Sequence, residues 1–253
     1  MMIKWHPAFY ITAFIFIASC NPRLANGLRK KDLHKDVEMI TTKGDVIIRL
    51  SDSTPLHRDN FLLLVKKGYY DSILFHRVIQ HFMIQAGDPA SKHAAAGSSL
   101  GDGGPSYTIP AEFRASLFHK RGALAAAREG DDVNPGKASS GSQFYIVVGK
   151  IFTEGGLDSV EIRRLKGRKI PAERRAVYKT IGGVPHLDGN YTVFGEVISG
   201  MEVVDSIAAS PTSGSPFDRP LKDIRILKMK LISRSHSPRD PGANPGSGEA
   251  GSK

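Results

Sequence analysis

The chain has 253 residues, of which 40% are hydrophobic and 24% charged, with a formal net charge of +10 and a single cysteine. This length and composition suit one globular domain with additions, and they allow a sizeable core. One cysteine excludes an intrachain disulfide and a cysteine-based metal cluster. No aromatic-interleaved basic groove accompanies the positive charge, so nucleic acid is not an expected partner.

The N-terminal segment has the pattern of a secretory signal. Lys4 precedes an apolar run over 8–17, which is too short to span a bilayer comfortably and has the length of a signal-peptide core. The run ends in Ile-Ala-Ser-Cys at Cys20, an ending that resembles the cleavage and lipidation site of bacterial lipoproteins. We therefore expect a signal peptide over 1–19 and a lipid anchor on Cys20. The alternative is an ordinary secretory signal in which the cysteine has no role.

A polar, basic tether is expected over 20–36, because this stretch shows no sustained hydrophobic period. The apolar patterns that follow predict short strands separated by turns, together with two helices. The strands are expected at 37–41, 45–50, 74–79, 82–86, 121–127, 143–148 and 223–232. The first helix is expected to begin at Thr54-Pro55, to bury Leu56, Phe61, Leu64 and Val65, and to end at Gly68. The second is expected over 201–208.

The stretch over 150–185 carries nine Lys/Arg and four Asp/Glu, which is half of the net charge. A solvated basic face is the default interpretation, with a polyanion site as the alternative. Leu157, Val160, Arg164 and Leu165 predict one helix here, and Pro171 begins a second helical stretch that ends at 182–183. The tail over 233–253 is rich in Pro, Gly and Ser and is expected to be disordered.

The most informative run is FHRVIQHFMIQAGD at 75–88. Arg77 lies there among apolar strand positions, where a guanidinium is costly to bury unless it is paired or used. The pattern alone also allows an edge arginine that reaches water along its aliphatic stem. Strand alternation assigns two faces, with His76 and Val78 on one and Phe75, Arg77 and Ile79 on the other.

This run resembles the signature of cyclophilins, the peptidyl-prolyl cis/trans isomerases. Four further blocks follow in the family's order: GDGGPSYTIPAEF at 101–113, RGALAAAR at 121–128, SSGSQFYIVV at 139–148 and LDGNYTVFGEV at 187–197. The resemblance implies a mainly β fold over 37–232, namely a closed eight-stranded antiparallel barrel capped by two helices. It also implies that 150–185 is a helical insertion, which we expect near the cleft rim, and that no cofactor or metal is needed.

The resemblance implies that Arg77 is the catalytic residue, because cyclophilins place an arginine at this point. It further implies a set of substrate-binding residues: Phe82, Met83, Gln85, Ala127, Arg128, Gln143, Tyr145, His186, Leu187 and Tyr191. In that set the two glutamines hold peptide carbonyls or orient Arg77, and Ala127-Arg128 is a strand edge that pairs with the substrate. Without the motif, Phe82, Met83 and Leu187 would be interpreted as core residues.

Two positions depart from the family pattern. Tyr145 replaces the usual phenylalanine and adds a hydroxyl that needs a partner. His186 stands where many members carry a large apolar aromatic, so we expect weak binding of cyclosporin. His76 is expected to be structural, because it should lie on the face opposite Arg77. The serines of 139–142 predict no ordered serine–histidine–acid constellation.

The expected function is peptidyl-prolyl isomerisation that accelerates proline-limited folding of exported proteins. The expected molecule is a monomer, lipid-anchored in the bacterial cell envelope and facing the periplasm, and its expected partners are extended proline-containing polypeptides. Two alternatives stay open. One is a non-catalytic proline-peptide-binding chaperone. The other is an envelope scaffold whose basic insertion docks anionic lipid or polysaccharide.

Overall fold

The structure of the chain is a computed structural model that describes residues 27–95 and 97–234. The expected signal peptide, Cys20 and nearly all of the expected disordered tail lie outside these residues. The fold is mainly β, with four helices. The strands are β1 (Lys35–Thr41), β2 (Gly44–Leu50), β3 (Arg77–Ile79), β4 (Met83–Ala86), β5 (Thr108–Ile109), β6 (Ala123–Ala126), β7 (Ser139–Ser140), β8 (Phe144–Val147), β9 (Val193–Ser199) and β10 (Ile226–Ser233). The helices are α1 (Pro55–Lys66), α2 (Glu154–Arg163), α3 (Ala172–Thr180) and α4 (Met201–Ala208).

Eight antiparallel strands form one sheet in the order β10-β1-β2-β9-β6-β8-β4-β3, and β5 pairs separately with β7. The outer strands β3 and β10 do not pair, so the prediction of a closed barrel is corrected to a half-barrel. The residues that precede them do meet. Leu74 and Arg225 form an isolated bridge, and the Phe75 amide donates to the Ile224 carbonyl at 2.9 Å. With only three residues, β3 is too short to extend this contact into a ladder.

The main core lies between the concave face of the sheet and helices α1 and α4. Along β8 and the residue after it, Phe144, Ile146 and Val148 enter this core, while Tyr145 and Val147 join a second apolar cluster on the opposite face. The predicted alternation of 143–148 is therefore confirmed, and it turns Tyr145 away from the main core.

Two predicted burial patterns are wrong in detail. Leu56 is 45% exposed, because the face of α1 that meets the core is carried instead by Phe61, Leu62, Leu64 and Val65. In the last strand Ile226 and Met229 are both buried, although simple alternation puts them on opposite faces. The register with β1 shifts between Ile40 and Thr41, and this bulge inserts the extra residue that breaks the alternation.

The first turn of α1 is capped by a residue that is distant in sequence. Thr54 precedes Pro55 as predicted but makes no side-chain cap. The Glu112 carboxylate accepts hydrogen bonds from the amides of Leu56 (3.2 Å) and His57 (3.0 Å) instead. This supplies acceptors for the unpaired N–H groups of a helix start. The same carboxylate lies 2.8 Å from His57 Nδ1, and His57 Nε2 lies 2.9 Å from Ser139 Oγ.

The predicted insertion is helical. Its two helices, α2 and α3, enclose a small apolar cluster of Leu157, Ile170 and Tyr178, against which Phe118 and Phe152 pack. Gly182 and Gly183 follow α3 with φ of 85° and 153°. A side chain on Gly183 would collide with the His119 carbonyl, so this glycine allows the insertion to return close to the sheet.

Residues 28–36 pack against the domain, which corrects this part of the expected tether. Leu28 is buried in the main core, a 3-10 helix spans Lys30–His34, and β1 begins at Lys35. Asp32 is 3% exposed and accepts from Lys66 Nζ at 2.8 Å. This partly buried ion pair anchors the segment that its polar composition had suggested to be free.

Candidate active site

A cavity of about 290 Å³ lies on the outer side of strands β3, β4 and β8. It is lined by nine of the eleven residues predicted to bind or act on substrate: Arg77, Phe82, Met83, Gln85, Ala127, Arg128, Tyr145, Leu187 and Tyr191. The other two, Gln143 and His186, lie directly behind this lining. Gln85 and Tyr145 are 60 positions apart in sequence and converge here because β4 and β8 are neighbours in the sheet.

Arg77 lies at the start of β3, opposite Gln85 in the β3–β4 register. Its Nε is 3.9 Å from Asp218 Oδ2, and its side chain is 39% exposed. An exposed ion pair at this distance is weak, so the guanidinium keeps donors available towards the cavity. The alternative of an arginine that only reaches water does not account for its position in the cavity wall.

The two predicted glutamines are bonded to each other. Gln85 Nε2 donates to Gln143 Oε1 at 3.1 Å, and Gln143 Nε2 donates to the carbonyls of Gly101 (2.6 Å) and Gly103 (2.8 Å). The Gln143 amide is therefore fully used within the chain and fastens the glycine loop at 101–103. It supports Gln85, and it lines an adjoining depression of about 610 Å³ that shares Gln85, Ala127 and Arg128 with the cavity. Neither glutamine is bonded to Arg77 in the structure.

Beside the cavity, the predicted strand edge is already paired at its first residue. The Ala127 amide donates to the Gln143 carbonyl at 3.0 Å, and the Ala127 carbonyl accepts from Ser140 at 2.8 Å. The Arg128 side chain donates to the Asn190 carbonyl at 2.7 Å, and its guanidinium lies 4.6 Å from the centre of the Tyr191 ring. This cation–π contact holds Tyr191 at the cavity wall.

The floor of the cavity is apolar. Met83 and Tyr145 belong to a buried cluster against which Phe82, Leu187 and Tyr191 pack. His186 stacks on Phe82 with ring centroids 6.0 Å apart, so it supports the wall from behind. Burial lowers the pKa of His186 to about 4, and the ring is neutral near pH 7. It therefore acts as an uncharged aromatic support.

The extra hydroxyl of Tyr145 has a buried partner. It lies 2.9 Å from His119 Nε2, and His119 Nδ1 lies 3.0 Å from Asp188 Oδ1. The nitrogen that faces the carboxylate carries the proton, so Nε2 accepts the proton of the Tyr145 hydroxyl. Burial raises the pKa of Tyr145, which keeps that hydroxyl protonated. The hydroxyl thus points into the protein and leaves the ring face to the cavity.

Asp188 joins this chain of hydrogen bonds to the insertion. Tyr178 of α3 donates its hydroxyl to Asp188 Oδ2 at 2.8 Å, and Arg174 Nη1 lies 3.3 Å from the same oxygen. Burial tends to raise the pKa of Asp188, but the bonds from His119 and Tyr178 outweigh it and the net pKa is lowered. The carboxylate is therefore ionised and held from both sides.

No residue of 150–182 lines the cavity. Helix α2 nevertheless contacts the 3-10 helix Pro185–Leu187, and Leu187 lines the cavity, so the expectation that the insertion lies near the cleft rim stays a prediction. Its helices lie behind the wall, because their apolar cluster packs on Phe118 and their polar groups bond Asp188, the residue after Leu187. The sequence shows that the insertion directly precedes 186–187, but it does not show on which side of the cavity wall the helices pack.

Sequence reasoning missed His76 as part of the site. His76 lines the same cavity as Arg77 and not an opposite face, because the strand begins only at Arg77 and alternation does not hold before it. Its ring is 4% exposed, and burial lowers its pKa to about 4. Pro216 and Phe217 from the loop before β10 also line the cavity. Phe217 is 59% exposed, and no local pattern marks it.

Within the described ranges, no group of three or more His, Cys, Asp or Glu side chains comes together as a metal site. The site therefore consists of an arginine, amide and backbone donors, and an apolar floor. An arginine beside an apolar cavity can donate hydrogen bonds to the amide of a peptide that is held there.

Comparison with known proteins gives the family. Residues 36–231 match the model of the cyclophilin-type peptidyl-prolyl cis-trans isomerases. The chain belongs to this family, and it is a peptidyl-prolyl cis-trans isomerase. The order of the five sequence blocks had indicated the same family.

A Staphylococcus saprophyticus protein named as a peptidyl-prolyl cis-trans isomerase is 35% identical over 195 residues, which cover 77% of this chain and 90% of that protein. A Streptococcus pyogenes protein named as a bifunctional phosphatase and isomerase is also 35% identical, over 78% of this chain, but the chain spans only 38% of it. Among solved structures, a Cryptosporidium parvum cyclophilin-type isomerase has a TM-score of 0.57 at 26% identity, covering 79% of this chain and 99% of that one.

Proposed function

We propose that the 290 Å³ cavity binds a proline ring of an extended polypeptide and that Arg77 accelerates rotation about the preceding amide bond. That rotation has a barrier of about 18–20 kcal/mol, because conjugation gives the C–N bond partial double-bond character. Twisting the amide breaks the conjugation and returns the lone pair to the prolyl nitrogen. A donor aimed at that nitrogen stabilises the twisted amide more than either planar isomer, which is the requirement for catalysis.

The observation that carries this proposal is that one cavity wall brings Arg77 beside an apolar floor of Met83 and Tyr145. The guanidinium supplies fixed donors and a permanent charge, while the floor excludes water and fits a proline ring. The related parasite protein was also solved in the presence of the dipeptide Ala-Pro. In our proposal an extended peptide lies along Arg128, because the neighbouring Ala127 backbone is already paired.

The test is exchange NMR on a proline-containing tetrapeptide. Arg77→Ala should lower the catalytic efficiency by about 10²–10³-fold, the range seen when one preorganised transition-state donor is removed. Arg77→Lys keeps the positive charge but loses the planar, forked donor geometry of the guanidinium. It should retain only part of the wild-type catalytic efficiency. Full activity in Arg77→Ala would refute the catalytic role of this residue.

The same experiment separates the enzyme from a non-catalytic chaperone. Wild-type protein that binds the peptide, seen as shifts of Tyr145 and Met83 signals, without speeding exchange would favour the chaperone. A cyclophilin cleft that keeps Arg77, Gln85 and the apolar floor together supports the enzyme.

We further propose that the chain acts on exported proteins while tethered to a membrane through Cys20. The support lies in the sequence, where a short apolar run ends in Ile-Ala-Ser-Cys at the only cysteine. No helix within 27–95 and 97–234 is long and apolar enough to cross a bilayer. Intact mass of the protein extracted from membranes tests the proposal. Loss of residues 1–19 together with added acyl mass supports it, and an unmodified Cys20 refutes it.

A further inference from the structure

A concentration of positive side chains on the described surface lies outside the cleft. A shallow depression of about 540 Å³ is bordered by seven cationic side chains: Arg29, Lys31, Lys35, Lys66, Lys67, Lys228 and Lys230. Only two carboxylates, Asp32 and Asp71, border it. We call these seven cations the basic face. They come from the N-terminal 3-10 helix and its flanking residues, the start of β1, the end of α1 and strand β10, so only the tertiary structure assembles them.

The two carboxylates are occupied within the protein. Asp32 is 3% exposed and accepts from Lys66 Nζ at 2.8 Å, and Asp71 Oδ1 accepts from the Met229 amide at 3.1 Å. By contrast Lys31, Lys67 and Lys228 are exposed, and within the described residues their side chains form no ion pair or hydrogen bond. Lys230 pairs with Glu38 at 2.8 Å, and Lys66 and Arg29 pair with Asp32. The unneutralised charge of the basic face, within the described residues, is therefore that of the remaining lysines.

The insertion holds half of the net charge in sequence and exposes Arg163, Arg164 and Lys166, but several of its other basic side chains are paired internally. Lys169 pairs with Glu161 at 2.7 Å, and Arg175 pairs with Asp158 at 2.8 Å and Glu161 at 2.6 Å. Lys179 pairs with Glu154 at 2.6 Å. These internal ion pairs neutralise part of the positive charge that the sequence of the insertion indicates.

The chain leaves the basic face in the direction of its N-terminus. Lys66 Nζ donates to the Gly27 carbonyl at 2.7 Å, so the first described residue lies at the border of the depression. Seven residue steps separate Gly27 from Cys20, and a fully extended chain of that length spans about 25 Å at most. An acyl group on Cys20 would hold this side of the domain close to the bilayer.

We propose that the basic face docks on the surface of an anionic phospholipid membrane. This inference rests on the proposed lipid anchor for the choice of a membrane as the partner, whereas the charge arrangement stands without it. A basic surface is attracted to anionic lipid head groups, and this attraction adds to the hold of a lipid anchor. The basic face and the substrate cavity share no lining residue, so docking leaves the cleft open to clients.

The test uses the polypeptide from Asn21 to Lys253, which contains the whole matched domain and lacks both the apolar run and the thiol. Its binding is measured by co-sedimentation with vesicles of phosphatidylglycerol mixed into phosphatidylcholine, and with vesicles of phosphatidylcholine alone. We expect binding to the anionic vesicles only. It should weaken steeply as salt rises from 0.1 M to 1 M, because the screening length falls from about 10 Å to about 3 Å.

The decisive variant replaces Lys31, Lys67 and Lys228 by glutamine. Each basic residue near an anionic surface contributes about fivefold in affinity, so the triple change should weaken binding about a hundredfold. The matched control replaces Arg163, Arg164 and Lys166, which are exposed cations of the insertion, and should change affinity less than about threefold. Both variants should retain wild-type exchange rates on a proline tetrapeptide.

Equal losses of vesicle affinity in the two variants would show that only net charge matters. That result would refute docking through the basic face. Absence of binding to anionic vesicles at 0.1 M salt would overturn it as well, whether or not Cys20 carries a lipid. Intact vesicle binding by a chain whose Cys20 is unmodified in its native membrane would instead refute the anchor and leave the docking surface standing.

Discussion

Tyr178→Phe tests whether the insertion supports the proline cavity from behind. The change removes one hydroxyl, which lies 2.8 Å from Asp188 Oδ2, and keeps the ring in its cluster with Phe118. Tyr178 is fully buried. A hydrogen bond to a charged group contributes about 1.5–3 kcal/mol to stability. Asp188 keeps its bonds from His119, so we expect a loss near the middle of that range, about 2 kcal/mol.

Urea unfolding followed by circular dichroism measures this loss as a lower midpoint at unchanged slope. The same loss should lower the melting temperature by about 4–8 °C for a domain of this size. Because Asp188 also holds His119, and His119 holds Tyr145, the KM for a proline tetrapeptide should rise as well. An effect confined to stability would leave the KM unchanged.

Two other tyrosines provide matched controls. Tyr107 donates to Asn60 at 2.7 Å but is 45% exposed, so Tyr107→Phe should cost less than about 0.5 kcal/mol. Tyr145→Phe removes the hydroxyl at the other end of the series of hydrogen bonds that runs from Tyr178 through Asp188 and His119. The double variant with Tyr178→Phe should be non-additive by about 0.5 kcal/mol or more. Additive effects, or equal losses in Tyr178→Phe and Tyr107→Phe, would refute the coupling.

Two further predictions concern the buried His76 and the buried array of Ser139, His57 and Glu112. The pKa of His76 is about 4 in the folded chain because of burial, against about 6.5 in the unfolded chain. Between these values the unfolded chain binds the proton more readily, so the stability contribution is complete above pH 6.5 and is lost as the pH falls towards 4, by about 3 kcal/mol in total. Urea unfolding of wild type and His76→Gln at pH 7 and pH 4.5 should show a smaller pH difference in the variant, and equal differences would contradict the assignment. Ser139, His57 and Glu112 form a serine–histidine–acid array, but Ser139 is 1% exposed and lines none of the cavities described above. A fluorophosphonate probe should therefore leave Ser139 unlabelled in the folded protein, and mass-spectrometric detection of the adduct would show a hidden access route.

The sequence pattern correctly predicted those elements whose structure depends on residues close together in the chain. Met201–Ala208 is a helix with the predicted bounds, and the alternation of 143–148 correctly placed Tyr145 on the cavity side and Phe144 in the core. The ordered sequence blocks located nine of the eleven residues that were expected at the cavity. These predictions succeeded because the face on which a strand residue lies depends on its own position and its immediate neighbours.

The errors have a common origin in contacts between distant segments. A bulge opposite β1 displaced the alternation of the last strand, and a bridge between Leu74 and Arg225 takes the place of the strand pairing that would close the barrel. The Tyr145–His119 and His119–Asp188 contacts join residues 26 and 69 positions apart. No periodic signal encodes such a pair, because each partner alone has the pattern of an ordinary buried polar residue.

By itself, the sequence determined the family, most strand faces and the identity of the arginine beside the apolar cleft, since these follow from short segments read in order. Only the tertiary structure decided that the hydroxyl of Tyr145 is bonded inward, that Gln143 is bonded to Gln85 and the glycine loop, and that seven scattered cations share one face. The physical reason is that hydrogen bonding and charge act through space, and the chain brings the participating groups together only when the half-barrel forms.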